Sequence, residues 1–507
     1  MVKEYNDMEE MLLDESSGIE YKTSKTSLSK TLFDSISAFA NTKGGIIYLG
    51  IKEVVDKQGN KTYSIEGIDN AQIQEEILSQ KLTDSNIISF NPVTAFEIKT
   101  TPTGKRFIKI IVSEAPDTKK PVLVAVPKSK TMVAFVRIGS ADKIAKDELL
   151  TSLIRNQSDD LDVDVLTMYS IDDLDRKTIN DYRRKVEENP KFEHYQDFSL
   201  NEFLEKIGVV ARNRNTGEMG ITIGGLLFFG KNTAIIQKFP HFQMDLFDRR
   251  SDERWAHRIS TFNDDLNAYQ FFNQANEYLQ NIPLNPFTLD ENQQRIEAGN
   301  YLKIALREAL LNVIMHSDYF SEERDIIDIY WDYFDFSNAG KMKIPIESFF
   351  TTNASKSRNP VISKLLKFMG FGELAGTGGE QIFNSARMAK FRYPDIESDS
   401  TKTHLRIWTV DFANSLEDIS ENEKTIVKLL SRSSLSLSKK EIIGATGHSD
   451  YETRIAIASL IGKDYIEQIG KARATQYQLK RNAEQKLATL KQEVNDLKIY
   501  QENRAKK

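Results

Sequence analysis

The chain has 507 residues, too many for one hydrophobic core, because single cores stop growing near roughly 250 to 300 residues; about three domains are expected. Hydrophobic residues at 40% and charged residues at 28% exclude a disordered or fibrous chain. A net charge of -6 excludes indiscriminate nucleic-acid binding by the whole surface but allows a local basic groove, and zero cysteines exclude disulfides, thiolate nucleophiles and thiolate metal sites.

No apolar run reaches the roughly 18 residues needed to cross a bilayer, and the start, Met1-Val2-Lys3-Glu4, lacks the basic-then-apolar pattern of a secretory signal. A cytoplasmic protein with no membrane partner is expected. Six histidines scattered singly point away from structural zinc and toward a hard cation, Mg²⁺ or Mn²⁺, on oxygen ligands.

In chain order, Gly18 to Lys22 alternates like a strand, and Leu28, Leu32, Ile36 and Phe39 recur at helical spacing until Lys43-Gly44-Gly45 stops the helix. A β-rich run, IIYLGIKE, follows. Further strands are predicted at Arg106 to Val112 and Val133 to Ile138, with a helix from Asp147 to Arg155. This first α/β domain spans 1–158 and closes on a polar, acidic linker, Asn156 to Asp162. Residues 163–295 read as a connecting region in which ITIGGLLFFG looks β-like and Lys238 to Phe247 is rich in Pro and Phe.

From Tyr301 a helical segment leads into the β-like DIIDIYWDYFDFSN, a Gly-containing loop, and a second helix with GTGG at Gly376 to Gly379, in a domain spanning 296–413. Residues 421–480 read as three helices and a hairpin: Thr425 to Leu430, Lys439 to Ala445, Tyr451 to Ile461, then QYQLK. In 481–507, Ala483, Leu487, Leu490, Val494 and Leu497 step as a heptad seam, equally compatible with an intersubunit coiled coil and with a helix packed on its own chain.

Three constellations carry chemistry. Glu20 and Lys22, two apart on a strand, share a face, with Glu15 upstream and Glu53 at the end of the next strand. Carboxylates gathered at one point need a cation, so Glu15, Glu20 and Glu53 are candidate metal ligands and catalytic residues, with Lys22 as a further point charge on a phosphodiester. The competing reading is a solvated strand face. On the later helix, Glu308, Asn312 and His316 form one stripe beside an apolar one, Leu302, Leu306, Leu310 and Val313. Asn312 can ligate Mg²⁺ and Glu308 can orient a water; the bland alternative is a satisfied helix flank.

Glu15-Ser16, Ile19-Glu20-Tyr21-Lys22, Ser37-Ala38-Phe39-Ala40-Asn41-Thr42, Gly44-Gly45, Gly50-Ile51 and Val136-Arg137-Ile138-Gly139-Ser140 resemble the Schlafen AlbA-type family. That resemblance implies a nucleic-acid-acting domain. By its ribonuclease members it also implies paired metal-binding glutamates, here Glu15 and Glu20, with Glu53 where the family often has Asp. Arg307-Glu308-Ala309-Leu310-Leu311-Asn312 through His316-Ser317-Asp318-Tyr319 resembles the N-box of GHKL ATPases. Asn338-Ala339-Gly340 is similar to the adenine loop, and Ser357-Arg358-Asn359-Pro360 with Gly376-Thr377-Gly378-Gly379 to the second Gly-rich region. ATP binding with Mg²⁺ is implied at these positions, while Ser317 and Ala339 stand where the family commonly has Arg and Pro.

Residues 421–480 resemble the winged helix-turn-helix that closes such chains, with Arg454 on the recognition helix and Lys471 and Arg473 on the wing as nucleic-acid contacts. A docking or dimerisation module is the alternative. The reading as a whole is an ATP-regulated, metal-dependent endonuclease, RNA favoured over DNA, with ATP hydrolysis left open and bacterial antiviral defence or stress response as its setting. It would form a homo-oligomer through its C-terminal region. The alternative is an ATP-sensing transcriptional regulator in which Glu15 and Glu20 are structural.

Overall fold

The computed structural model describes residues 18–55, 61–126, 131–158, 160–251, 253–282, 298–351, 356–371, 377–433, 436–470 and 474–505. The chain divides into two compact units, Met1–Ser158 and Asp159–Lys507.

The first unit runs β1 (Ile19–Lys22), α1 (Leu32–Asn41), β2 (Gly45–Leu49), β3 (Ile51–Val55), β4 (Lys61–Ile65), α2 (Ala71–Leu82), β5 (Val93–Thr100), β6 (Arg106–Val112), β7 (Leu123–Ala125), β8 (Met132–Ile138), β9 (Ala141–Ile144) and α3 (Asp147–Arg155). One sheet has the order β1-β2-β6-β5, with β1 parallel to β2; β7-β8-β9 form another, and β3-β4 a hairpin. The expected single strand IIYLGIKE is broken at Gly50, whose φ of +94° turns the backbone into a region open mainly to glycine and sends β3 into the hairpin. Leu28 falls before the helix, which starts at Leu32.

Helix α1 is the keystone of this unit. Leu32, Ile36, Phe39 and Ala40 are buried in its core, but the same helix also buries Ser37 and Asn41. These two, one turn apart, are pinned to strand backbone. Asn41 Nδ2 donates to the carbonyls of Val122 (3.1 Å) and Phe135 (2.9 Å), and its Oδ1 accepts from Val122 N–H (2.7 Å). Ser37 Oγ donates to Val122 O (2.7 Å) and accepts from Phe135 N–H (2.9 Å). Buried polar groups must be paired, so these bonds fix α1 against β8 and the segment entering β7.

The second unit runs β10 (Val165–Leu166), α4 (Arg176–Glu187), α5 (Leu200–Ile207), β11 (Val210–Arg212), β12 (Met219–Thr222), α6 (Ile223–Phe229), α7 (Asn232–Lys238), β13 (Met244–Asp248), β14 (His257–Ser260), α8 (Ala268–Asn281), α9 (Ala298–His316), β15 (Asp325–Ile329), β16 (Tyr333–Ala339), α10 (Pro360–Phe368), α11 (Gly378–Ala389), β17 (Asp395–Ser398) and β18 (Lys402–Trp408). It continues with α12 (Glu421–Arg432), α13 (Lys439–Thr446), α14 (Asp450–Gly462), β19 (Ile466–Ile469), β20 (Gln476–Leu479) and α15 (Ala483–Ala505).

Its main sheet has the order β14-β13-β15-β16-β18-β17, with β13 and β15 parallel and the other neighbours antiparallel. Residues 163–295, read from sequence as a connection, thus supply two strands of this sheet. ITIGGLLFFG corrects the strand reading: after β12 it becomes the fully buried helix α6. An apolar run buried on all sides carries no period to tell strand from helix; here the Thr222 hydroxyl caps the helix by accepting from Gly225 N–H (3.1 Å). Upstream Asp162, fully buried, caps α10 by accepting from the N–H groups of Val361 (3.1 Å) and Ile362 (2.8 Å). Burial, against those bonds, pushes its carboxyl up to about 6.

In the C-terminal three-helix-and-hairpin module, Glu423 closes the capping box of α12 with Ser420 and pairs with Lys463 at 3.1 Å. Burial alone would raise its pKa, but bonds from Ser459, Ser420 and Lys463 hold it down at about 2. A pKa lowered by folding contributes stability that is complete above the ordinary value of 4.5 and is lost as pH falls toward 2. Glu423→Gln is therefore expected to flatten the pH dependence of the melting temperature between those limits; an unchanged acid slope would refute the pairing. Asn41→Ala is expected to destabilise the first unit by about 3 kcal/mol in urea titrations, because it orphans buried backbone groups.

Candidate functional site

In the first unit, β1 carries Glu20 and Lys22 on one face, as their spacing predicts. Glu20 is 7% exposed and is held by two cations, Lys22 Nζ at 2.6 Å and Arg137 Nη1 of β8 at 2.6 Å. Arg137 also binds Asp142 (2.8 Å) and the Ile19 carbonyl (3.1 Å) and lies 5.0 Å from the Phe39 ring centroid. Burial works against the Arg137 charge, but Asp142 and Glu20 outweigh it and raise the guanidinium pKa further. Burial raises the Asp34 carboxyl, with Lys22 opposing and Asp142 reinforcing. Sequence reasoning missed Arg137, Asp34 and Asp142 as members of this cluster; the one signal was Arg in an otherwise apolar strand, VAFVRI.

Glu53 lies in the β3-β4 hairpin opposite Tyr63, and Glu15 is outside the described residues. The expected metal ligand Glu20 is instead engaged by Lys22 and Arg137, because one is its own face neighbour and the other reaches it from β8. Among the described residues no group of three His, Cys, Asp or Glu side chains is arranged to hold a metal ion.

In the second unit, α9 packs along α11 and leaves a cavity of about 140 Å³ bounded by both helices and the face of β16 and β18. Glu308, Asn312 and His316 all line it, as do Asn338, Gly378 and Gly379. Asn312 donates its Nδ2 to the Glu308 carbonyl (2.8 Å), which leaves Oδ1 for a cation or another donor. A methyl group on Gly378 would lie 3.1 Å from Glu308 Oε2 and 3.6 Å from Asn312 Nδ2, so the polar stripe of α9 faces the start of α11. Burial raises the Glu308 carboxyl, opposed by Arg307. His316 is pushed down to about 4 by burial and by the Arg358 guanidinium, so its imidazole is neutral near pH 7.

Lys341, Lys343, Lys356 and Lys367 line the same cavity and were not anticipated; their signal was KMK directly after Asn338-Ala339-Gly340. Apolar walls come from Phe336, Met342 and Leu405. A carboxamide oxygen and a carboxyl among lysines, facing the N-terminus of a 12-residue helix, suit a magnesium-bound polyphosphate. Thr377 precedes that helix, its hydroxyl accepting from Gln381 Nε2 (3.2 Å), and Gly376 is outside the described residues.

Ser357 lines the cavity, and together with Arg358 and Asn359 it also has a structural task. These residues collect the orphan carbonyls where α9 ends: Ser357 Oγ donates to Met315 O (3.3 Å), Arg358 Nε to His316 O (3.1 Å) and Asn359 Nδ2 to Ser317 O (2.8 Å). Gly340, at φ +94°, passes so close to Arg358 that a methyl group there would lie 2.9 Å from the guanidinium. Buried Asp325 accepts from the Ser317 hydroxyl (2.8 Å) and from Ala339 N–H (2.9 Å), joining the helix end to the end of β16; burial pushes its pKa up to about 7.

In the C-terminal module Arg454 is exposed on α14, 5.7 Å from the Tyr451 ring; Lys471 and Arg473 are outside the described residues.

Residues 15–146 match the family described as "Schlafen, AlbA_2", 325–407 the family described as "Putative ATP-dependent DNA helicase recG C-terminal", and 151–245 a domain of unknown function, DUF8451. A Corynebacterium diphtheriae crystal structure aligns at TM-score 0.37 and 15% identity over 94% of this chain and 99% of its own. The N-terminal domain of a RecG-related protein from Nitrosomonas europaea aligns at TM-score 0.21 and 26% identity, over 28% of this chain and 88% of its own. No curated protein matches the chain. Among the described residues no helix is long and apolar enough to cross a membrane.

A methyl group on Gly379 would sit 2.1 Å from the Phe349 carbonyl, whereas one on Gly378 meets only the cavity side chains. Gly379→Ala should cost about 1–3 kcal/mol in chemical denaturation and Gly378→Ala under about 1 kcal/mol. Equal losses would mean that the cavity is not open beside Gly378.

Proposed function

We propose, for a chain that carries an N-terminal Schlafen AlbA_2 domain and a RecG C-terminal-type, ATPase-like domain, that it is an ATP-responsive protein acting on nucleic acid. What carries this reading is the second-unit cavity, where Glu308 and Asn312 face the start of α11 within a ring of lysines. Asn312 would hold Mg²⁺ through its carboxamide oxygen, and the ion would neutralise the phosphates. At about 140 Å³ the cavity would seat only part of the nucleotide: Lys341, Lys343, Lys356 and Lys367 would draw the polyphosphate in and the N–H groups around Gly378 and Gly379 would receive it. Glu308, its proton affinity raised by burial, is the group able to orient water if the nucleotide is hydrolysed.

A ligand that binds only the folded state raises its melting temperature. ATP with Mg²⁺ is expected to do so for the wild type and to lose at least about tenfold in apparent affinity in Asn312→Ala, with the unliganded melting temperature unchanged. Absence of any ATP-dependent shift in the wild type would overturn the reading.

For the first unit, Lys22 is the phosphate contact within reach of solvent, its side chain 15% exposed against 2% for Arg137. Two activities are compatible with it. Endonucleolytic cleavage, of RNA in preference to DNA, would place the protein in bacterial antiviral defence or stress response and rests on Glu15, Glu20 and Lys22. Binding without cleavage, as in a transcriptional regulator, is favoured by the Glu20 ion pairs, which give that carboxylate a structural task. Incubation with tRNA and with plasmid, with Mn²⁺ or EDTA and with or without ATP, separates them. Metal-dependent fragments that vanish in Glu20→Ala support the nuclease; intact substrate in every lane supports the binder.

The proposal extends to a cytoplasmic homo-oligomer. On α15, Leu487, Leu490, Val494 and Leu497 are 47%, 57%, 49% and 61% exposed, while Gln485, Ala488 and Gln492 face their own chain. The apolar seam is thus free to meet a second copy. Light scattering should give a dimer or larger, reduced to monomer by Leu490→Glu with Leu497→Glu; a monomeric wild type would refute this.

A further inference from the structure

Between the sheet edge at β17, the C-terminal module and the start of α15 lies a second cavity of about 1360 Å³. It is larger than the roughly 300–1,000 Å³ of small-molecule sites, so a compact ligand would leave most of it wet. Eight lysines and arginines line it against five carboxylates, a local positive excess in a chain of net charge -6.

Much of this charge is spent internally. Arg392 pairs with Asp395 (3.1 Å), Arg406 with Asp335 (3.2 Å), Lys480 with Asp464 (2.5 Å) and Lys463 with Glu423 (3.1 Å). Lys390, Lys428 and Arg481 have no carboxylate within ion-pair distance among the described residues. They come from three places on the wall: just past α11, on α12 and at the entry to α15. Lys390 and Lys428 are exposed.

Half-buried rings lie among these cations. Arg481 lies 5.4 Å from the Tyr393 centroid, Phe412 meets Tyr465 edge-on at 6.4 Å, and Arg392 sits between Trp408 (4.1 Å) and Phe412 (5.2 Å). Burial lowers the Arg392 pKa, with Asp395 opposing and Arg406 adding to the effect.

We propose that this cleft binds a stretch of single-stranded nucleic acid, with Lys390, Lys428 and Arg481 on phosphates and the exposed edges of Tyr393, Phe412 and Tyr465 beside the bases. Cations spread over three elements match a ligand whose charges are themselves spaced out, and aromatic rings accept any base. The remaining carboxylates, Glu397 and Asp411, oppose a compact polyphosphate that would touch the whole wall. The site uses neither the outward face of α14, where Arg454 stands, nor the nucleotide cavity, and it holds whether or not that cavity binds ATP.

The test is fluorescence anisotropy of the full chain with a labelled oligothymidylate and a duplex of equal length. Lys390→Glu, Lys428→Glu and Arg481→Glu combined should weaken single-strand binding at least about tenfold and lower its salt slope by about 2, while reversal of the exposed Lys177 on α4, Lys177→Glu, leaves it unchanged. A triple variant that binds like the wild type overturns the proposal. So does displacement of the oligonucleotide by inorganic triphosphate as effectively as by unlabelled strand, which would mark a small-anion site. Photocrosslinking of a bromouridine oligonucleotide to the wild type gives a reading independent of the variant's folding. Crosslinked peptides carrying Tyr393, Phe412 or Tyr465 support the cleft, and crosslinks confined to residues 18–158 overturn it.

Discussion

The second unit depends on how one helix ends. A helix leaves its last carbonyls without partners, and α9 ends inside the protein, where water cannot supply them. Arg358, with no exposed surface, meets this need by donating to His316 O and, at 2.7 Å, to Lys341 O in the loop after β16. Replacing so large a buried cation would leave carbonyls orphaned on both sides, so the helix that presents Glu308 and Asn312 and the loop that follows β16 are fixed by one side chain. Gly340 follows from the same constraint, since its φ and its closeness to Arg358 both exclude a larger residue.

The first unit solves an equivalent problem with smaller groups. Ser37 and Asn41 satisfy strand backbone from within a buried helix face, and Arg137 reaches over Phe39 to join Glu20 with Asp142. Both candidate sites therefore rest on buried polar side chains that act as fasteners. Such networks are worth most when every member is paired, and each orphaned member costs the desolvation of its partner.

Much of this was legible in the chain. The 3.6-residue period marked α1 and α9, the three helices α12, α13 and α14 were read in order, and the stripe Glu308, Asn312, His316 lies along the cavity. The readings that failed did so where local pattern is silent. ITIGGLLFFG has no polar face because it is surrounded by apolar neighbours, and IIYLGIKE looks continuous because a left-handed glycine leaves no mark on its neighbours' polarity.

Sequence alone determined the elements with a wet side and a dry side, since solvent writes that contrast into residue spacing, and it determined the residue types available for nucleotide chemistry. Tertiary structure decided which charges are spent on one another. Glu20 looked like an open carboxylate until Arg137 arrived from a strand more than a hundred positions away. Lys341, Lys343, Lys356 and Lys367, distributed over two loops and a helix, became one lining only when α9 and the sheet enclosed them. Electrostatic partnership falls off with distance in space, and distance in space is what a linear order of residues does not contain.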